Sequence, residues 1–151
     1  MAAQPIPAGY HTITAQLNLE GAEAAIAFYQ KALGAELVDK ALDPSGKKVW
    51  HASLRIGTSM LFVNDTMPEM GVGPSQSTIW LYVNDVDAAF KRAVDAGAKP
   101  TMPVSDMFWG DRTGQFTDPF GQRWTVATHI KDMTPEEMKK AENEFVASMK
   151  K

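Results

Sequence analysis

The order of periodicities along the chain constrains it most. An alternating segment, a helical segment and three more alternating segments occur once, and the same order then recurs. Residues 12–19 alternate, with Ile13, Ala15, Leu17 and Leu19 on one face and Thr12, Thr14, Gln16 and Asn18 on the other, as in a half-buried strand. Ala22, Ala25, Ile26, Tyr29 and Leu33 follow at helical spacing, and Gly34 stands where a helix end takes left-handed backbone, which predicts a helix over 22–33. Strands are predicted over 36–42, 48–56 and 59–64, separated by Asp43-Pro44-Ser45-Gly46 and Gly57-Thr58. After the aperiodic, polar 71–77, a strand over 78–83 leads to a helix capped by Asp85, with Val86, Ala89, Phe90, Ala93 and Val94 on one face and Gly97 at its end. Further strands are expected near 98–104, 112–117 and 122–129.

Two βαβββ modules follow, over 10–70 and 77–130. The local echo between them is short: Ala24-Ala25-Ile26-Ala27-Phe28 and Ala88-Ala89-Phe90 each lead into a Gly-Ala pair, Gly34-Ala35 and Gly97-Ala98. The repeated order of elements therefore carries the argument, and the two Asp-Pro-x-Gly sequences at 43–46 and 118–121 read as independent turns. A third segment, 133–150, opens with the capping box Thr134-Pro135-Glu136-Glu137 and carries Met138, Ala141, Phe145 and Met149 as one apolar stripe. That stripe is expected to pack on the domain or on a second subunit.

Composition narrows the partners. The 151 residues suit one compact domain, or two small halves sharing a core. Fifteen basic residues against eighteen acidic ones, with no long basic run, give no footprint for a phosphate backbone, so nucleic acid is not expected as a partner. No apolar run approaches the roughly 20 residues that span a bilayer, and MAAQPIPAGY lacks a charged and then apolar leader, so no membrane partner and a cytoplasmic location are expected. With no cysteine and only His11, His51 and His129, metal or general-base chemistry has to use these histidines or carboxylates.

In each module the apolar strand face should pack on the helix, leaving the other face as a binding surface. Parity puts Thr14, Gln16 and Asn18 on that face of the first strand, and His51, Ser53 and Arg55 on that of the third. Met60, Phe62 and Asn64 follow from the fourth strand, and Thr78, Trp80 and Tyr82 from the fifth. The last strand offers Arg123, Thr125, Ala127 and His129, while Trp124 falls on the core side. Aromatic groups mixed with a few hydrogen-bonding groups match a small-molecule pocket.

At this point the sequence resembles the vicinal oxygen chelate superfamily, the glyoxalase/bleomycin-resistance/dioxygenase group, and within it the PhnB-like branch. The resemblance spans about Tyr10 to Lys151 and rests on Tyr10-His11-Thr12-Ile13-Thr14, Ala27-Phe28-Tyr29 through Leu33-Gly34-Ala35, His51-Ala52-Ser53-Leu54 and Tyr82-Val83-Asn84-Asp85-Val86-Asp87. Its most specific part is Trp109-Gly110-Asp111-Arg112 followed by Asp118-Pro119-Phe120-Gly121-Gln122-Arg123-Trp124. The resemblance implies one α+β domain of two βαβββ modules, whose curved mixed sheets surround a cleft, with the C-terminal helix added. It also implies a homodimer and a ligand or divalent metal in the cleft. In metal-dependent members the ligands are His or Glu from the first and fourth strands of each module. Here those positions fall at Thr14, about Met60, Thr78 and Thr125, none of which supplies an imidazole or carboxylate.

These observations lead to a small organic ligand bound without metal or other cofactor, through Thr14, Gln16, His51, Ser53, Phe62, Trp80, Tyr82, Trp109 and Thr125. Catalytic residues are not identified beyond His51, which is a candidate to orient a ligand or move a proton, or a structural histidine with a backbone partner. His11 and His129 read as rim or hairpin residues without a sequence-local acid. Trp109 beside the flexible Gly110 suits a loop closing over a flat ligand, and Asp111-Arg112 reads as a charge pair pinning that loop. Arg55 and Arg123 are available to attract an anion. The competing reading is a metal-dependent glyoxalase-type lyase or isomerase, or a dioxygenase, with ligands relocated to His11, His51 or His129 and Asp111. A third is a protein-binding module using the C-terminal stripe. Methyl transfer finds no support, since neither Gly71-Val72-Gly73 nor Gly110 opens a helix as a nucleotide-binding loop would.

Overall fold

The computed structural model describes residues 3–150; Met1, Ala2 and Lys151, the last residue of the family-like stretch, lie outside the described residues. The elements run β1 (Ala15–Leu19), α1 (Ala22–Leu33), β2 (Glu36–Leu42), β3 (Val49–Ile56), β4 (Ser59–Asp65), β5 (Thr78–Tyr82), α2 (Val86–Asp95), β6 (Lys99–Asp106), β7 (Asp111–Thr117), β8 (Arg123–His129) and α3 (Pro135–Met149). They build two four-stranded sheets, ordered β1-β4-β3-β2 and β5-β8-β7-β6. In each, the first strand runs parallel to its neighbour and the other pairs are antiparallel. The α+β architecture with a C-terminal helix is the one the order of periodicities predicts.

Helix placement follows from capping. The Asp65 carboxylate accepts hydrogen bonds from the Gly21 and Ala22 amides at 3.1 and 2.9 Å, supplying α1 with the acceptor its own N-cap glycine lacks. Its other oxygen accepts from Val49 N at 2.7 Å, which ties the start of α1 to β3 and β4. Asp85 caps α2 through Ala88 N, and the capping box of α3 forms as its sequence predicts. Helices α1 and α2 pack on one side of their sheets and against each other, so Leu17, Ala25, Tyr29, Leu54, Phe116 and Trp124 share one core.

A buried carboxylate joins the modules inside that core. Asp118 Oδ2 accepts from Tyr29 Oη at 2.6 Å and Trp124 Nε1 at 3.0 Å, while Oδ1 accepts from the Phe120 and Gln122 amides. The second Asp-Pro-x-Gly turn is therefore a clamp between α1 and β8. The first one caps only itself, with Asp43 Oδ1 accepting from the Lys47 and Lys48 amides.

The structure departs from the sequence expectations at several places: Ser53, Thr125 and Ala127, which alternate onto the open face, are buried. β1 begins at Ala15, where pairing with Leu61 starts, and Ile13 is 87% exposed rather than part of the core. Met60 and Asn64 are buried although they alternate away from the helix face, because the seam between modules and a ladder of amides cover them. α3 has no buried residue; Phe145 meets Phe108 at 5.1 Å between ring centroids, while Met149 is 69% exposed. Among the described residues no helix is long and apolar enough to cross a membrane.

Candidate functional site

The open face of the first sheet carries a cavity of about 480 Å³. Cross-strand register builds its floor: Phe62 on β4 lies opposite Gln16 on β1 and Ser53 on β3. The His51 ring meets Phe62 edge-on at 4.8 Å, and its Nε2 is 3.1 Å from Ser53 Oγ and 3.8 Å from Asp39 Oδ1. The segment before β1 crosses this floor and supplies Pro5, Ile6, Pro7, Tyr10, His11 and Thr12 to the lining, with the Tyr10 ring 5.8 Å from Phe62. Thr14 completes the wall. Gln16 stands beside the cavity in an amide ladder, donating to Asn64 Oδ1 at 2.8 Å while Asn64 donates to Asn18 Oδ1 at 3.0 Å.

The second sheet presents a different constellation. Tyr82 Oη and Trp109 Nε1 both donate to Oδ2 of the buried Asp111, at 2.9 and 3.1 Å. His129 Nδ1 faces Asp111 Oδ1 at 2.8 Å, and its Nε2 faces Asp132 Oδ1 at 2.7 Å. A doubly protonated ring donates to both carboxylates, so the Asp111 contact first and the Asp132 contact second hold the imidazolium above its ordinary range. Burial pushes the Asp111 carboxyl up, but the hydrogen bonds from His129, Tyr82 and Trp109 outweigh it and leave the group below its ordinary value. The same contact with Asp111 raises Tyr82. Trp80 lies 6.1 Å from Tyr82 and 6.4 Å from Trp109 between ring centroids.

These contacts correct several expectations. His129 does have a sequence-local acid, Asp132, which the absence of any regular period after β8 concealed. Asp111 and Arg112 alternate to opposite faces and do not pair; Arg112 holds Asp87 of α2 through two bonds of 2.9 Å and Asp106 of β6 through a third. Gly110 is held, not flexible: its φ is 99°, its carbonyl accepts from the Ile130 and Lys131 amides, and a Cβ there would run into the Lys131 carbonyl. Arg55 faces Glu36 at 3.5 Å and Arg123 donates to Gln76 O, so both already have protein partners.

The candidate residues thus fall in separate places. Thr14, His51, Ser53 and Phe62 surround the first cavity, with Gln16 beside it. Tyr82 and Trp109 gather on Asp111, whereas Trp80 lines a cleft between the modules. Thr125, 2% exposed, lies opposite Trp80 and Gln115 in the sheet. Tyr10, Asp39 and Asp111 were not among the expected ligand contacts. The Asp39–Ser53 register would have revealed the second of these only once strand pairing was known.

Residues 11–126 match the Glyoxalase/Bleomycin resistance protein/Dioxygenase superfamily. The chain belongs to this superfamily. An uncharacterized protein of Mycobacterium tuberculosis (strain ATCC 25618 / H37Rv) is 36% identical over 138 residues, covering 85% of this chain and 81% of the relative. Protein YjdN of Escherichia coli (strain K12) is 34% identical over 124 residues, covering 68% and 84%. Among solved structures, TioX from Micromonospora sp. ML1 superposes with a TM-score of 0.65 at 24% identity, over 82% of this chain and 100% of its own. The PhnB protein from Bacillus cereus, described as a putative 3-demethylubiquinone-9 3-methyltransferase, gives 0.61 at 19% identity, over 78% and 99%. At these identities the two structures share the superfamily's fold with this chain.

The donors at the superfamily's usual metal positions do not fit a divalent ion. Thr14, Thr78 and Thr125 offer neutral hydroxyls and Met60 a thioether, and Met60 and Thr125 are buried. Of the relocated ligands, Asp111 meets His129 alone, while His11 and His51 line the first cavity.

Proposed function

We propose that this chain binds a small, partly aromatic organic molecule in the cavity over Phe62, with no metal ion taking part, and that it sequesters that molecule. The observation that carries the reading is the composition of the 480 Å³ cavity: Tyr10, Phe62, Ile6 and two prolines supply apolar walls, while His11, Thr12, Thr14, Asp39, His51 and Ser53 supply polar atoms. That balance, at a volume within the ~300–1,000 Å³ of small-molecule sites, suits an amphipathic ligand. Phe62 offers a ring for stacking, and the His51–Ser53 pair offers both a donor and an acceptor. The unsuitable donors at the superfamily's metal positions support binding without a metal. Exposed Trp50, Val146 and Met149 support a homodimer as the working form, and the cysteine-free sequence agrees with the cytoplasm as its setting.

The test is a thermal-shift screen of small aromatic and amphipathic compounds on chelator-treated protein, repeated with Phe62→Ala and His51→Ala. Hits that stabilise the wild type should lose about ten-fold in affinity in Phe62→Ala, the loss usual for truncating a central aromatic contact. Saturating sets that never shift the melting temperature, or hits indifferent to both substitutions, would contradict the reading.

A further inference from the structure

A second cavity, of about 330 Å³, lies between the modules. β1 and β5 are the end strands of their sheets, each hydrogen-bonded on one side only, and both contribute to its walls. Ile13 and Ala15 line one side, Ile79 and Trp80 the other, and Met60 and Trp124 also line it. The indole N–H of Trp124 is already donated to Asp118, so this residue presents carbon surface to the space. Among the described residues no ionisable side chain lines the cavity; its polar side chains are the Ser59 and Thr78 hydroxyls and the Trp80 indole N–H.

This differs from the cavity over Phe62, whose lining includes Asp39, His11 and His51. The chain entering β1 separates the two: Thr14 lines the first cavity, and its neighbours Ile13 and Ala15 line the second. A space without charges penalises any ion that enters, because nothing replaces the lost hydration, whereas an apolar molecule gains by leaving water. Ile13, 87% exposed at its margin, leaves apolar surface for such a molecule to cover.

We infer that the seam between the modules is a second ligand site, which takes an uncharged apolar molecule of up to three rings with at most a single hydrogen-bonding group for Ser59 or Thr78. It is independent of the ligand held over Phe62. Its tryptophans give it a distinct signature, since Trp80 and Trp124 line the seam and no tryptophan lines the first cavity.

The probe is neutral N-phenyl-1-naphthylamine, titrated into the intact protein while tryptophan quenching and probe emission are followed. Ala15→Phe and Ser59→Phe, made separately at two exposed lining positions, fill the space without touching the core. Each should weaken the probe about ten-fold or more, while Trp80→Phe should reduce the quenching and Phe62→Ala leave the affinity within about two-fold. Unchanged affinity in both filled variants overturns the inference, as does loss of binding in Phe62→Ala. It is also overturned if light scattering shows a wild-type dimer that either filled variant dissociates while probe affinity stays the same, since the seam would then be a contact between copies.

Discussion

The Tyr29 hydroxyl on α1 donates to the buried Asp118 carboxylate at 2.6 Å, joining a helix of the first module to the turn that precedes the last strand of the second. Burial and the Asp118 charge together push the phenol far above its ordinary range, so it remains a donor at any working pH. Removing it leaves a buried carboxylate short of one partner. Tyr29→Phe is expected to cost about 1–3 kcal/mol in denaturant unfolding. An unchanged midpoint would show that the Phe120, Gln122 and Trp124 donors satisfy Asp118 alone.

The His129 imidazole should titrate above the ordinary 6.5, and Asp111→Asn should bring it down, as followed by imidazole NMR. The sign follows from a folded value raised above the unfolded one. The stability this group contributes is fully present below the unfolded value and is lost as pH rises through the folded one. For Asp111, held below its ordinary 3.8, the contribution is present above that value and is lost as pH falls through the lower folded one. Melting temperature should therefore decline on the alkaline side of His129's titration in the wild type, and decline less in His129→Ala. Equal profiles would remove the contact from the account.

Gly110→Ala should destabilise the protein by about 1–3 kcal/mol from its backbone conformation alone, with a further cost because the Lys131 carbonyl occupies the space of a Cβ. Chemical denaturation measures it. A neutral substitution would mean that the Trp109 loop and the chain after β8 move apart freely.

Much of the scaffold was legible because it depends on local rules. The spacing from Ala22 to Leu33 and the glycine after it specify α1, and alternation specifies Leu17, Leu54, Val63 and Val126 as core. What covers the opposite face is not local. Alternation placed Met60 and Phe62 together, yet one lies at the seam and the other under Tyr10, which stands outside every predicted strand. Asp111 and His129 are neighbours only because β7 pairs with β8, and Arg112 finds its partners on α2 and β6. The repeated order of periodicities supplied the modules, but the contents of the candidate site depend on pairings between strands that one sequence does not display.

The central claim is that this superfamily member holds its ligand without a divalent ion. The most direct measurement is metal content by plasma mass spectrometry on untagged protein, read with the thermal shift on adding nickel, zinc, manganese or iron(II). The account predicts substoichiometric metal and an unchanged melting temperature with each ion. Near-stoichiometric metal together with a stabilising shift, both lost in His51→Ala, would contradict it.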